Sequence, residues 1–262
     1  DLGVSINAGA NRLQIRNRAV AANTNNGLSV PELYAISNSK TTPSISNART
    51  NSAANSLFAF GDLEYRKFAS ITWAVRNDWF STLPAGNNSL LSPSIGASFV
   101  FSEFTQDKLS WLNFGKVFGS WGKKPKTLGA YQLNLNYGVN PLLWGSNFLM
   151  STPNGSPDPN LRGALTTTWE TGLDLRFLKN RLNVTLTYYK EDNKDEPLGV
   201  TVSGVSGFTS QTINAAWVQR SGIEIEVGAA VVKQKNFTWN VNTTFAYLID
   251  NKVNALAPGL SS

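Results

Sequence analysis

The sequence predicts an all-β fold, part of a large antiparallel transmembrane β-barrel. Three observations carry this reading: apolar and polar residues alternate over long stretches, most such stretches run about 11–14 residues, and the connections between them alternate short and long. Strict alternation gives a strand one apolar and one polar face. Strands of globular proteins usually run about 5–6 residues, whereas a tilted strand needs roughly 9–11 to cross a bilayer. Short turns on one side and long loops on the other are the asymmetry of an outer-membrane barrel.

Nine strands are expected, at about 1–16, 55–66, 67–79, 93–104, 110–122, 168–178, 181–192, 220–232 and 237–250. In the first, Leu2, Val4, Ile6, Ala8 and Ala10 alternate with Gly3, Ser5, Asn7 and Gly9. The second is less regular, because Phe58 and Phe60 fall on the face that also carries Asp62 and Glu64. Ile71, Trp73 and Val75 mark the third. The fifth places Leu112, Phe114 and Phe118 beside Lys116. Trp169, Thr171, Leu173, Leu175 and Phe177 form one face of the sixth, and Leu182, Val184, Leu186 and Tyr188 one face of the seventh. Ile223, Ile225 and Val227 mark the eighth, and Val241, Phe245 and Tyr247 the ninth. Tight turns are expected at Arg66–Lys67, near Thr105–Leu109, at Lys179–Asn180 and at Lys233–Asn236. Long links are expected at 17–54, 80–92, 123–167 and 193–219.

Aromatic residues crowd the strand ends (Tyr65, Trp79, Trp169, Tyr188, Tyr247), where amphipathic rings favour the two membrane interfaces. Only a closed barrel satisfies every strand N–H and C=O in lipid. Single-chain bacterial barrels carry even strand counts, so nine strands read as consecutive staves of a larger one. Asp1 leads straight into an alternating segment, which also suggests part of something longer. Residues 1–262 are therefore expected to be one partial barrel domain.

Composition narrows the function. The chain has 262 residues, of which 15% are charged and 41% apolar, with 0 Cys and 0 His. That excludes disulfide scaffolds, Cys or His zinc sites and Ser-His-Asp or Cys-His nucleophiles. No cofactor or metal is expected, and general acid–base chemistry has few groups to work with. The net charge of +6 comes from basic residues scattered singly or in pairs, so no nucleic-acid partner is expected.

Charges on the lipid face of a barrel cost about 2–4 kcal/mol at the midplane, so those within strands should face the lumen. The expected lumenal wall comprises Arg76, Asp78, Glu170, Asp174, Arg176, Glu224 and Glu226. Glu224 and Glu226 point to the same side, as a carboxylate pair for acid–base work would, but a polar wall or plug contact accounts for them more simply. The run Glu191–Glu196 lacks the glycine and spaced acids of a calcium loop and reads as a solvated strand end. Tyr131, Tyr137, Trp144 and Phe148 lie in the longest link, where they could stack on sugars, meet a lid protein or pack the loop.

Several stretches together resemble the SusC/RagA-like TonB-dependent transporters of Bacteroidota outer membranes. They include NSLFAFGDLEYR (55–66), AVRNDWFSTLP (74–84), NNSLLSPS (87–94), NFGKVFGSW (113–121), TWETGLDLRF (168–177) and NRLNVTLTYYK (180–190). Ile213–Ala215, Gly222–Glu224, FTWNVN (237–242) and Asp250–Val253 continue the series in order. The start, with Asn7–Arg12, Val30–Tyr34 and Ser37–Ser39, is similar to this family too. The resemblance implies a barrel of about 22 strands around an N-terminal plug. It implies import of bulky nutrients such as glycans or oligopeptides, a SusD-like surface lipoprotein as lid, and energy from the TonB–ExbB–ExbD complex. Plug, TonB box and the first and last strands would lie outside this chain, and outer-membrane lipid would surround it. Ala216, Arg220, Asn160–Ala164 and Gly122–Lys126 depart from the usual pattern. They lie in loops or at strand ends and bear on ligand and partner choice.

Two rivals stand beside transport. One is a SusC-like barrel used as a scaffold in a larger outer-membrane assembly or secretion machine, which co-purification would reveal. The other is a soluble β-sandwich that binds carbohydrate, which would extract into buffer without detergent.

Overall fold

The computed structural model describes residues 1–105, 109 and 111–256. Twelve strands follow one another: β1 (Leu2–Leu28), β2 (Ser39–Tyr65), β3 (Ala69–Phe80), β4 (Ser89–Val100), β5 (Leu112–Lys126), β6 (Gly138–Trp144), β7 (Asn147–Ser151), β8 (Gly155–Pro157), β9 (Ala164–Phe177), β10 (Leu182–Thr201), β11 (Ser210–Lys233) and β12 (Thr238–Leu256). Nine of them form one antiparallel sheet in the order β1-β2-β3-β4-β5-β9-β10-β11-β12, while β8 runs parallel to β11 and β6 pairs with β7 apart. Among the described residues β1 and β12 do not pair with each other, so the sheet is open.

Cross-strand partners share a face, so the register sorts every side chain. One face carries rows such as Val117, Leu173, Leu186, Ile225 and Phe245, aligned across five strands. Of this row Val117, Leu186 and Phe245 remain exposed, at 39%, 40% and 57%. An exposed apolar face of this extent is a surface for lipid. The opposite face carries Thr, Ser, Asn, Gly and charges such as Asp78, Glu170, Asp174 and Glu224.

The nine staves lie where the alternation places them, but several are much longer. β1 and β2 each run 27 residues, β10 20 and β11 24. Thus the expected links at 17–54 and 193–219 shrink to 29–38 and 202–209. β2 pairs with β3 only from Ala54 onward, so among the described residues the outer parts of β1 and β2 form a ribbon that pairs with no other strand. Both faces of such a ribbon meet water, so no apolar alternation marks it although the hydrogen-bond ladder continues.

Other boundaries also move. The strand expected at 93–104 ends at Val100, and Phe101–Phe104 form a 3-10 turn. β4 already begins at Ser89. The link 123–167 narrows to 127–163 and contains the β6–β7 hairpin and β8. A bulge between Leu112 and Phe114 sets Leu112 opposite Phe177, on the apolar face, so it does not share the face of Lys116 as the simple alternation suggested. Phe114 and Phe118 do. The turn expected near Thr105–Leu109 and the strand start at residue 110 lie largely outside the described residues.

Two of the tight turns use left-handed backbone. Arg66 (φ 44) and Lys67 (φ 61) form a two-residue hairpin closed by Phe68 N–H donating to Tyr65 O at 3.2 Å. Leu178, Lys179 and Asn180 all have positive φ, and Asn113 Oδ1 accepts from Lys179 N–H at 2.6 Å. That side chain holds a turn that three non-glycine residues would otherwise adopt at a cost.

Candidate functional site

The polar face of the sheet encloses a trough of about 1090 Å³. Its floor is built from alternate residues of β9, β10 and β11, including Thr166, Thr168, Glu170, Thr187, Tyr189 and Glu224. A second hollow of about 300 Å³ continues it toward β3 and β4, past Ser120, Ser94 and Thr72, sharing Lys124, Thr168 and Glu170.

The seven charged residues expected on one wall all occupy this face by register. Arg76 and Asp78 lie opposite Phe58 and Ser56 of β2. The Arg76 guanidinium contacts the Asp78 carboxylate and donates to Ser56 Oγ at 2.8 Å, while Ser56 Oγ donates to Asp78 at 2.5 Å. The same guanidinium stands 5.7 Å from the Phe58 ring centroid. Phe58 in turn stacks with Phe60 and lies over Gly9, where a Cβ would come within 2.7 Å of the ring. Aromatic and acidic residues share β2 because a glycine on one neighbour and a cation on the other accommodate the rings.

Asp174 and Arg176 are brought together with Lys116 of β5. Lys116 Nζ sits 3.7 Å and Arg176 Nη2 3.9 Å from Asp174 Oδ2. The Arg176 guanidinium also covers Phe114, 4.8 Å from its centroid. Glu170 and Glu224 both line the larger trough, and Glu226 follows on β11 opposite Thr185 and Thr244. Among the described residues these three glutamates make no ion pair. Arg76 and Asp78 lie outside the trough, so the seven do not converge on one point. Nor do any three or more His, Cys, Asp or Glu side chains among the described residues gather closely enough to hold a metal ion.

The acidic run 191–196 is no solvated end. It lies within β10, at a bulge where Asp195 has φ 59. Glu191 accepts from Asn193 Nδ2 at 2.6 Å, and Asn193 Oδ1 accepts from Thr166 Oγ1. Asp192, on the other face, accepts from Trp217 Nε1 at 3.0 Å and Gln219 Nε2 at 2.9 Å. Asp195 pairs with Arg162 and Glu196 with Lys126. Sequence reasoning noted Lys126, Asn193 and Arg220 without bringing them to a site and assigned Tyr189 no role, because their part depends on pairings between distant strands. Their place on the polar side of alternating segments was the available signal.

Above the trough the links fold inward. Leu83, Leu90, Leu128 and Leu161 form a buried cluster with Phe80 and Leu133 against it. Asn87 Nδ2 donates to Asn160 O at 3.0 Å, and Asn214 grips the same strap through Arg162 N–H and O at 2.8 and 2.9 Å. Tyr131 Oη accepts from Asn51 N–H at 3.1 Å and ties this unit to the β1–β2 ribbon. Of the other loop aromatics, Tyr137 precedes β6, Trp144 ends β6 and Phe148 lies in β7, and all three are exposed.

Long antiparallel strands, one face exposed and apolar, the other polar with a trough and folded-in links, define a stretch of outer-membrane β-barrel wall. The chain belongs to the family of TonB dependent receptor-like β-barrels, whose model matches residues 4–260. It is 26% identical over 222 residues to TonB-dependent receptor P39 of Formosa agariphila, covering 79% of this chain and 20% of that protein. It is likewise 26% identical over 196 residues to TonB-dependent receptor SusC of Bacteroides thetaiotaomicron, covering 70% of this chain and 19% of that one. The chain thus spans about a fifth of the length of these curated relatives. Its fold matches the structure of the RagAB peptide transporter with a TM-score of 0.81 at 20% identity, over 99% of this chain and 29% of that one. The outer membrane transporter YddB of Escherichia coli matches with 0.58 at 15% identity, over 94% and 31%. The chain is thus a stretch of the β-barrel of a TonB dependent receptor-like protein of the outer membrane.

Proposed function

We propose that this chain is part of the barrel wall of a TonB-dependent importer of bulky nutrients, glycans or oligopeptides, working with a SusD-like surface lipoprotein. The polar face is the lumenal wall, with Arg76, Asp78, Glu170, Asp174, Arg176, Glu224 and Glu226 facing a plug and passing substrate. The short turns face the periplasm and the long links the exterior, where Tyr131, Tyr137, Trp144 and Phe148 belong to extracellular loops. Plug, TonB box and the remaining strands lie in other parts of the same protein. The barrel binds and passes its cargo and does no chemistry on it.

The observation that carries this reading is the trough of about 1090 Å³ on the polar face. Its threonine hydroxyls, Tyr189 and mixed charges offer hydrogen bonds of both senses to a polar polymer, while Phe118, Pro125 and Val218 add apolar contact. The names of two relatives, SusC and RagAB peptide transporter, support the same class of work. The test is uptake of labelled oligopeptides and oligosaccharides by cells carrying the full-length protein, with and without TonB. Uptake of one class that disappears without TonB is expected. Growth and uptake that ignore both the protein and TonB would overturn the proposal.

A further inference from the structure

We propose that the outer edge of β2, over Ile45–Arg49, is a strand-addition site for an extended acidic segment of a partner protein. Below this stretch the edge is occupied. β2 pairs with β3 as far as Ala54 and Phe80, and Ser81 then continues the contact: its Oγ accepts from Ala53 N–H at 2.8 Å and its N–H donates to Ala53 O at 2.9 Å. Tyr131 Oη accepts from Asn51 N–H at 3.1 Å. Along an antiparallel strand the N–H and C=O of every second residue point to the same side. Those of Arg49, Asn47 and Ile45 therefore face the same way as those of Asn51 and Ala53. Among the described residues no strand lies alongside them. A main chain left bare on one side over this length is what an added strand pairs with.

The side chains specify the charge of the addition. Arg18 of β1 lies directly opposite Arg49, and Arg16 sits one row away on the same face, opposite Asn51. Because the main chain of Arg49 points away from β1, Arg18 and Arg49 form a non-hydrogen-bonded pair, the kind whose side chains stand closer. Like charges so opposed destabilise the ribbon. Little in the ribbon offsets them. Between Leu2 and Gly61 the one acidic residue is Glu32, in the link between the strands. The Arg16 guanidinium meets the neutral Gln14 amide at 3.1 Å. Among the described residues Arg16, Arg18 and Arg49 make no ion pair. A carboxylate arriving over Arg49 relieves the repulsion and accepts charge-assisted hydrogen bonds from two guanidinium groups. Their face continues that of Ala8, Ala10 and Leu57, the apolar side of the sheet, so cargo and plug on the polar side do not meet it. The occupant therefore comes from another protein. Bare main-chain groups beside arginines suit a polypeptide better than a lipid phosphate, which has no N–H to give.

The probe is a fluorescent, N-acetylated peptide of about eight residues alternating valine and glutamate, titrated onto the full-length protein in detergent micelles and read by anisotropy. The peptide with glutamine for glutamate should bind roughly tenfold more weakly. So should the valine–glutamate peptide N-methylated at alternate backbone positions, which tests the edge on the unaltered protein. R18Q/R49Q should erase the difference between the glutamate and glutamine peptides. N47P removes one outward N–H while sparing the ladder to β1, and should weaken both peptides. Both variants should keep the heat-modifiable mobility of a folded barrel. K233Q/K235Q, the same change of charge at a short turn, should bind as the parent does. Absence of binding by the valine–glutamate peptide would overturn the proposal, as would a preference for glutamate that survives R18Q/R49Q. Binding indifferent to N-methylation and to N47P would also overturn it, reducing the patch to a site for any anion, a lipid phosphate included.

Discussion

Arg76 and Asp78 lie two residues apart on β3, and the Arg76 Nε–H points at both carboxylate oxygens, at 2.8 and 3.0 Å. The two side chains are unequally buried: that of Asp78 is 6% exposed and that of Arg76 42%. Removing either leaves a different orphan. Arg76→Ala strands a buried carboxylate with Ser56 as its remaining partner, and should cost about 2–3 kcal/mol. Asp78→Ala leaves a guanidinium that water can reach, and should cost about 1–2 kcal/mol. Urea titration of the full-length barrel in micelles should return that order; the reverse order would contradict the burial argument.

Two glycines on the polar face test whether a close approach is to backbone or to side chain. A Cβ on Gly172 would come within 2.4 Å of Leu186 O as well as the Phe118 ring, whereas one on Gly222 would meet the Tyr189 ring and hydroxyl. Gly222→Ala should therefore cost about 1–3 kcal/mol and be largely restored by Tyr189→Ala. Gly172→Ala should cost as much and stay costly beside Phe118→Ala. A double-mutant cycle on the same titration decides it.

The leucine cluster over the trough should act locally. Leu161 is 1% exposed among Leu83, Leu90 and Leu128, so Leu161→Ala should cost about 2–4 kcal/mol of the inward-folded state. That loss falls on the links, because the barrel strands do not depend on this cluster for their pairing. Proteolysis within 127–163 should accelerate while the folded barrel keeps its gel mobility.

The two faces should respond oppositely to charge. Leu173→Arg, in the middle of the apolar face, should cost about 2–4 kcal/mol and lower the fraction of protein assembled in the membrane. Glu224→Gln and Glu226→Gln, on the exposed polar face, should stay within about 0.5 kcal/mol of the parent. Comparable loss in both sets would mean that the faces are assigned the wrong way round.

The wall was legible in the sequence to the extent that lipid is. Where one face meets hydrocarbon, as along Leu173, Leu186, Ile225 and Phe245, period two is enforced and the staves can be read off. Where both faces are wet, as from Asn17 to Leu28, the ladder continues without leaving a hydropathy pattern. Bulges escaped as well, because an extra residue at Leu112–Phe114 or Asp195 changes pairing and leaves composition untouched. The site was half legible. Charge within a strand located Asp174 and Arg176, but their contact with Lys116 depends on which strand lies alongside. The cluster of Leu83, Leu90, Leu128 and Leu161 has no local period at all, its members being drawn from two links and the start of β4.

Among the described residues the short strand β8 is the neighbour of β11 at Ser210–Thr212, beyond the last described pairing with β12 at Ala216. A row of free N–H and C=O groups at that height would be a template for another chain, and sheet edges left in this condition promote aggregation. Here the molecule shields itself with three residues of its own link. That shield is removable, because it is held by a few bonds and the strap behind it. A pull on 155–163 would therefore uncover an adhesive margin, which makes the strap a seal over that stretch of β11.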